Sequence, residues 1–373
     1  MSNKNKHLLV CGAEPSSDRI ASMTLSALSN AGANLQSFGV GGEASQASGM
    51  EVLEPLTGLA AMGWIPATRR AWALQRAFRV LVRECRRRRP GQALLIGFTS
   101  FNQALGRELR SMGIRVLWCV APQVWAWRPS RLDTLRHSVD RLAVLFPFEE
   151  PLWRRHGYDV HYVGHPAVEL TTYADSTSFP PRLAVMMGSR VQEVSASISP
   201  FLQAARRWLD QHPDGQAHVI VSPALPSGWR RRCLAAVQSK GISYFLADRR
   251  DGAAVQLEAY SLALCVSGTA CLEAALSGAL PVIAYRCDPV SAFVVKKLLR
   301  TPHIGLPNIL LESRVFPELV QGQMRADRLV AALEQLRESD RARRACQQLR
   351  KLLTVGDGLG FGERMARLVQ EGL

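Results

Sequence analysis

At 373 residues the chain is long enough for two separate buried cores, at roughly 150 residues per domain, and too long for a single small module. Hydrophobic residues make up 47% and charged residues 21% of the chain, a balance that excludes a disordered or fibrous protein. The 46 Lys and Arg against 31 Asp and Glu give a net charge of +15, which favours partners that carry phosphate: nucleic acid, nucleotides or an anionic membrane surface.

The N-terminal segment does not have the pattern of a secretion signal, because the apolar run of residues 7–11 is too short for one. No stretch approaches the 18 apolar residues of a membrane span. The eight cysteines are dispersed without a Cys-x-x-Cys pair, and no histidine cluster or Asp-x-Asp motif builds a metal site. We therefore expect a cytoplasmic protein with reduced thiols, no bound metal and no cofactor.

Strand and helix patterns alternate through the first half of the chain. Residues 7–12 and 35–40 are short apolar runs on either side of an amphipathic stretch at 20–31. Further strand patterns follow at 93–98, 116–120, 141–145 and 160–163. This rhythm is typical of a parallel sheet, and it predicts one doubly wound α/β domain over residues 1–168.

A polar, proline-containing segment at 171–181 marks the best candidate for a domain boundary. After it the alternation repeats, with strand patterns at 182–187, 218–222, 262–266 and 280–285. We predict a second doubly wound domain over residues 169–349. The tail is helical, and we expect its last helix, at about residues 350–373, to pack back on the first domain.

The loop after the first strand leads small and hydroxyl-bearing residues into a helix. Glu14, Ser16 and Asp18 lie in this loop, and free N–H groups at the start of a helix bind anions or sugars. Capping of the helix by Ser17 or Asp18 is the alternative. The loop is not a Gly-x-Gly-x-x-Gly fingerprint, so it does not support a dinucleotide site.

A loop of the second domain has a composition suited to phosphate. Gly188, Ser189 and Arg190 follow a strand and open a helix, and Glu193 comes three residues later. Backbone amides in such a loop donate to a diphosphate, and Arg190 adds a fixed charge that stabilises a departing pyrophosphate. The alternative is a capped helix with a surface Arg190–Glu193 pair.

A second loop of the same domain has the same arrangement. Ser267, Gly268 and Thr269 again lie between a strand and a helix, with their amides and hydroxyls at the same edge of the sheet. Glu273, in the first turns of that helix, is suited to accept hydrogen bonds from both ribose hydroxyls. An ordinary surface glutamate is the alternative.

Two indoles, Trp125 and Trp127, lie just beyond a predicted strand end, where they are suited to stack on a sugar or an acyl chain. Packing within the domain core is the alternative for at least one of them.

Residues 61–89 hold nine arginines and one acid, Glu84, interleaved with aromatic residues such as Trp64 and Trp72. A basic amphipathic helix of this kind binds an anionic membrane surface with its aromatic residues immersed. A packed helix with a solvated basic face is the alternative. The chain has no recognised nucleic-acid-binding module, so we expect no nucleic-acid partner.

Taken in chain order, these segments resemble the lipid-A-disaccharide synthase family of inverting glycosyltransferases. The resemblance spans nearly the whole chain, and its most specific pieces are residues 124–128 (Val-Trp-Ala-Trp-Arg), 146–149 (Phe-Pro-Phe-Glu), 163–165, 188–190 with Glu193, 267–273, 285–286 and 306–308.

The resemblance implies a GT-B architecture, in which two Rossmann-like domains face a cleft and the second binds the nucleotide. It implies transfer of 2,3-diacylglucosamine from UDP to the 6-hydroxyl of lipid X, peripherally at the cytoplasmic face of the inner membrane and often as a homodimer. The diphosphate of UDP-diacylglucosamine would meet residues 188–190 and 267–269, with Glu273 near the ribose and Asn308 near the donor.

The sequence departs from the family pattern on the acceptor side. Where the family has Gly-Ile-Asp-Ala-Pro-Asp-Phe-Asn, residues 97–102 read Gly-Phe-Thr-Ser-Phe-Asn, which is two residues shorter and has no aspartate. The acceptor hydroxyl still needs a base. Glu14 is the candidate base, with Asp18 as an electrostatic partner at a helix N-terminus. A transferase with another acceptor and a non-catalytic UDP-sugar- or lipid-binding relative remain alternatives.

Overall fold

Seven short strands in the first part of the chain pair as a fully parallel sheet. They are β1 (His7–Gly12), β2 (Gln36–Gly41), β3 (Glu51–Pro55), β4 (Gln92–Ile96), β5 (Arg115–Cys119), β6 (Arg141–Val144) and β7 (Asp159–Tyr162). Their spatial order is β3-β2-β1-β4-β5-β6-β7. The central strands are buried along almost their whole length, as expected when helices cover both faces of a parallel sheet.

The helices that follow these strands are α1 (Pro15–Asn30), α2 (Glu43–Ala47), α3 (Ala67–Arg88), α4 (Thr99–Ser111), α5 (Arg131–Thr134) and α6 (Glu149–Arg155). One face of the sheet packs against α3 and α4, through buried residues such as Leu81 and Leu105. The other face packs against α1, through Ile20 and Leu25.

Six further strands form a second parallel sheet. They are β8 (Arg182–Met186), β9 (Gln216–Val221), β10 (Ser243–Leu246), β11 (Leu262–Val266), β12 (Leu280–Tyr285) and β13 (Glu318–Val320), in the spatial order β10-β9-β8-β11-β12-β13. The helices in this part of the chain and after it are α7 (Ala167–Leu170), α8 (Val191–Gln211), α9 (Ser227–Ser239), α10 (Thr269–Ser277), α11 (Leu306–Leu310), α12 (Ala326–Arg337), α13 (Asp340–Leu353) and α14 (Phe361–Gly372).

This computed structural model describes residues 7–55, 67–122, 131–174, 181–247, 254–288 and 301–372. The chain divides into two compact units: residues 1–166 with 353–373 form the first, and residues 167–352 form the second. The last helix, α14, therefore belongs to the first unit. Its Phe361, Met365 and Val369 are buried in the same cluster as Ile20 and Leu25.

In each sheet the chain starts in the middle and reverses direction once, which creates a topological switch point. The switch point lies between β1 and β4 in the first unit and between β8 and β11 in the second. Open α/β sheets bind their ligands at the carboxyl ends of the strands that flank this point. The predicted fold class, two doubly wound Rossmann-like units, is confirmed.

Candidate functional site

The loop between β8 and α8 is built around the carboxylate of Glu193. The backbone amides of Ser189 and Arg190 donate to Glu193 Oε2 at 3.0 and 3.1 Å, and Arg190 Nη1 donates to Oε1 at 3.0 Å. Gly188 is left-handed (φ +98°), and a Cβ there would lie 2.7 Å from the Cβ of Glu193, so only glycine fits. Glu193 is one of the predicted substrate-binding residues. In the structure its carboxylate accepts hydrogen bonds from the amides of Ser189 and Arg190, which were predicted to bind the diphosphate.

The loop between β11 and α10 lies at the other side of the same switch point. The amide of Ser267 donates to Ala284 O at 3.2 Å, and its hydroxyl donates to Ile304 O at 2.7 Å. Beyond it, Thr269 is exposed at the start of α10, and among the described residues only the chain neighbours of Gly268 can lie within 4 Å of the position that its Cβ would take. This loop therefore leaves open space at a helix N-terminus, which suits an anionic ligand.

Asn308 has a structural role next to this loop. Its side chain is fully buried, and its Nδ2 donates to Phe316 O at 2.8 Å and to Glu318 Oε1 at 2.9 Å. Its Oδ1 accepts from the amides of Val315 and Phe316. All four hydrogen-bonding positions of the amide are used within the protein, so Asn308 shapes this region, and its contact with the donor stays a prediction.

Two more residues of the second unit complete this region. Glu273, on α10, is only 5% exposed, which excludes the surface alternative, and its contact with a ribose stays a prediction. Tyr285 ends β12, and its pKa is raised by burial and then by Cys287 and the Glu193 carboxylate, while Arg190 opposes the rise. Tyr285 is thus close to the Arg190–Glu193 pair. Sequence reasoning gave Tyr285 no role, although its place at a strand end was a signal.

In the first unit, the predicted site residues that follow β1 differ in their exposure. Glu14 is exposed directly before α1, and Ser16 is half-buried. Asp18 is only 6% exposed, and its carboxylate accepts hydrogen bonds at the start of α2, from the amides of Gly42, Ala44 and Ser45 at 2.7, 3.0 and 3.2 Å and from the Ser45 hydroxyl. Asp18 therefore caps α2, and its predicted role as an electrostatic partner in catalysis stays a prediction.

Asn102 closes the switch point of the first unit. Its side chain is fully buried, and Nδ2 donates to Gly97 O at 2.9 Å and, over longer distances, to Ile96 O and Cys11 O. It therefore joins the ends of β1 and β4 and supports the left-handed backbone of Gly97 and Phe98 (φ 56° and 47°). The sequence pattern contained this residue, but gave it no role.

Comparison with known proteins decides the family. The family model for lipid-A-disaccharide synthetase matches residues 8–364. A lipid-A-disaccharide synthase of Anaeromyxobacter dehalogenans is 33% identical over 373 aligned residues, which cover 98% of this chain and 96% of that protein. The chain belongs to the lipid-A-disaccharide synthetase family. The family predicted from the sequence is thereby confirmed, and with it a glycosyltransferase activity.

Solved structures show the same fold as this member of the lipid-A-disaccharide synthetase family. A candidate UDP-N-acetylglucosamine 2-epimerase of Listeria monocytogenes superposes with a TM-score of 0.68 at 13% identity, covering 100% of this chain and 96% of that one. CalG4, the calicheamicin glycosyltransferase, superposes with a TM-score of 0.63 at 14% identity, covering 99% and 98%. The predicted GT-B fold is confirmed.

Two separate pieces of the family pattern meet at the carboxyl ends of β6 and β7. The rings of Phe148, Phe146 and His165 stack, with neighbouring centroids 5.8 and 5.5 Å apart and interplanar angles of 3° and 19°. The Glu149 carboxylate accepts a hydrogen bond from the Phe146 amide. Burial, reinforced by Arg19, lowers the pKa of His165 to about 3, so its imidazole is neutral at pH 7.

Trp125 and Trp127, predicted to stack on a sugar or an acyl chain, lie outside the residues that the structure describes, and their role stays a prediction. Within those residues, no group of three or more His, Cys, Asp or Glu side chains is arranged to hold a metal ion. All eight cysteines lie in the described ranges and are free thiols, and seven of them are buried.

Helix α3 carries the described part of the predicted membrane segment. Three arginines pair with acids from other elements at 2.6–3.2 Å: Arg76 with Glu54, Arg86 with Glu108 and Arg88 with Glu51. The segment 61–89 itself contains only one acid, Glu84, so the neutralisation of these three arginines by distant acids was not predicted from the sequence. Trp72, 60% exposed, lies seven residues before the exposed Arg79, and the exposed Arg83 follows four residues later, so that all three lie on one face of the helix. Arg83 Nε lies 3.7 Å from Glu84 of the same helix. No helix in the described ranges is long and apolar enough to cross a membrane.

Proposed function

We propose that the chain transfers 2,3-diacylglucosamine from its UDP derivative to the 6-hydroxyl of lipid X and so forms the disaccharide of lipid A. The observation that carries this proposal is the family match over residues 8–364, supported by 33% identity to a lipid-A-disaccharide synthase along almost the whole chain. The fold supplies the expected two nucleotide-type switch points.

For the donor, the proposal assigns the diphosphate to Arg190 and the start of α10, and the ribose to Glu273. The support is local: Arg190 is 67% exposed at the carboxyl end of β8, and the space beside Gly268 is open. A guanidinium at this position stabilises the charge that develops on the leaving UDP. Ser189 and Glu193 then shape the loop.

For the acceptor, the proposal assigns the base to Glu14. Residues 97–102 contain no carboxylate, and Asp18 is committed to α2. Glu14 is an exposed carboxylate at the carboxyl end of β1, next to the first switch point. A carboxylate in this position takes the proton of the acceptor hydroxyl as the glycosidic bond forms.

One observation favours a second candidate. The aspartate-free segment at 97–102 fits a relative that binds a UDP-sugar or a lipid without turnover, or one that uses another acceptor. Incubation of the purified protein with UDP-diacylglucosamine and lipid X distinguishes these functions. Equal release of UDP and disaccharide supports the proposal. UDP release only with another acceptor supports a different transferase, and UDP binding without release with any acceptor supports the binding protein.

We also propose peripheral contact with an anionic membrane surface through α3, at the cytoplasmic face of the inner membrane. Arg79 and Arg83 support this proposal better than Arg86 and Arg88, since the latter two pair at 2.9 and 2.6 Å with acids of other elements. Arg83 has a longer contact, 3.7 Å, with Glu84 of its own helix, and its side chain is 76% exposed. Charge reversal at both positions, Arg79→Glu with Arg83→Glu, is expected to reduce vesicle binding at low salt severalfold. The control is Arg207→Glu with Arg231→Glu, two exposed residues of the second unit with the same charge change. Equal loss of vesicle binding in both variants would contradict the assignment.

The homodimer that the family resemblance implies is a separate hypothesis and stays a prediction.

A further inference from the structure

The Arg190–Glu193 pair is unequal in its exposure. The side chain of Glu193 is 12% exposed, whereas that of Arg190 is 67% exposed. Glu193 is held by the helix backbone, by the two amides that donate to Oε2, and by its close contact with Gly188. Arg190 by contrast is a long side chain that reaches into solvent, and fixing such a chain in one rotamer costs conformational entropy. The rigid member of the pair is therefore the carboxylate.

We propose that Glu193 is a positioning residue that acts through Arg190: its carboxylate holds the guanidinium in the orientation that meets the diphosphate of the donor. By occupying the amides of Ser189 and Arg190, it also leaves the diphosphate to the guanidinium and the start of α10. This inference rests on the proposed function for the identity of the anion.

Charge argues against a direct contact between Glu193 and the donor. A carboxylate accepts hydrogen bonds and donates none, and it repels a diphosphate nearby. Glu193 is the third residue of a 21-residue helix, which fixes its Cβ, and side chains at this position commonly reach back to the preceding amides. This arrangement is thus suited to hold the side chain of Arg190 in one orientation.

A double-mutant cycle tests the inference. Glu193→Gln keeps the size of the side chain and an oxygen for the two amides, but places an NH2 group against the guanidinium. We expect roughly ten-fold weaker UDP binding and roughly ten-fold lower kcat/KM. In an Arg190→Ala background, the same substitution is expected to have no further effect on either quantity, since the residue through which Glu193 acts is gone.

Two controls separate this role from a general effect on stability. Asp210→Asn breaks an exposed ion pair with Arg206 on the same helix and is expected to leave kcat/KM unchanged. Thermal unfolding of each variant reports the folded fraction. Additive losses in the double variant would overturn the inference, and so would tighter UDP binding by Glu193→Gln, which would mean that Glu193 competes with the diphosphate. UDP binding needs no acceptor, so the cycle stays informative if the unmutated protein fails to transfer.

Discussion

The switch points of the two units have the same strand order but differ in what fills the space at the strand ends. In the first unit, Asn102 is buried across the ends of β1 and β4, and a Cβ on Gly12 would lie 2.7 Å from Ser17. In the second unit, the position beside Gly268 is open. The second unit therefore leaves space for a ligand at the start of α10, whereas chemistry in the first unit depends on exposed side chains such as Glu14.

The largest effect is expected from Glu14→Gln, which removes the proposed base and keeps its shape. Loss of a general base slows a reaction by roughly 100- to 10,000-fold, and UDP binding should be unchanged, because Glu14 belongs to the first unit. Rates of disaccharide formation and calorimetric UDP titration measure the two effects. Glu43→Gln, at an exposed acid on α2, serves as the control. Full activity of Glu14→Gln would remove the assignment.

Arg190→Ala tests the proposed diphosphate site of the second unit. The loss of one charge-stabilising donor is expected to lower the rate of transfer by roughly 100-fold. Stability should change little because the side chain is mostly exposed. Arg206→Ala, on the helix that follows Arg190, is the matched control. Parental turnover in the Arg190 variant, measured as UDP release, would show that the diphosphate lies elsewhere.

Asp18→Asn asks whether this buried carboxylate serves structure or catalysis. The amide cannot satisfy all the donors at the start of α2, so we expect a loss of about 2 kcal/mol in the free energy of unfolding. Urea unfolding measures it, with the exposed Asp214→Asn as a control. Transfer per folded molecule should be nearly unchanged. A stable variant that has lost transfer would restore the catalytic role that the sequence suggested.

His165 gives the first unit a dependence on pH. The unfolded imidazole has a pKa near 6.5 and the folded one near 3, so the unfolded state binds more protons between these values. Stability is therefore lost as the pH falls from 6.5 towards 3, by up to about 1.4 kcal/mol per pH unit. In His165→Gln the slope between pH 6.5 and 4.5 should be smaller by about that amount, as urea unfolding at several pH values would show. An unchanged slope would mean that the folded imidazole takes up protons as freely as the unfolded one.

The sequence predicts the interior strands of both sheets well, but it predicts only one of the four edge strands, β7. Strands such as β1, β11 and β12 match the predicted ranges because buried parallel strands are continuous apolar runs. The edge strands β3, β10 and β13 were not predicted. They are short and partly exposed, and β3 (Glu51–Pro55) and β13 (Glu318–Val320) carry acidic residues. Their pairing depends on neighbours that are distant in sequence.

The candidate site shows the same contrast between local patterns, which could be predicted, and long-range contacts, which could not. The loops at 188–190 and 267–269 could be located from sequence, because a small-residue turn between a strand and a helix is a local pattern. The partners of Asp18 lie 24–27 residues away, and Arg88 meets Glu51 across 37 residues. Such contacts arise from packing, which no local pattern encodes. The same holds for Asn308, whose amide is fully used by residues 315–318.

Because helix α14 belongs to the first unit but follows the second unit in the chain, the order of synthesis affects the order of folding. All residues of the second unit leave the ribosome before Phe361, Met365 and Val369, which fill one face of the first sheet. Although most of the first unit precedes the second in the chain, its core stays incomplete until α14 has been made, so we expect the second unit to fold first on the nascent chain. A product that stops before residue 361 would expose the apolar face of Ile20 and Leu25 to chaperones and proteases. The stability of the first unit thus depends on translation through α14.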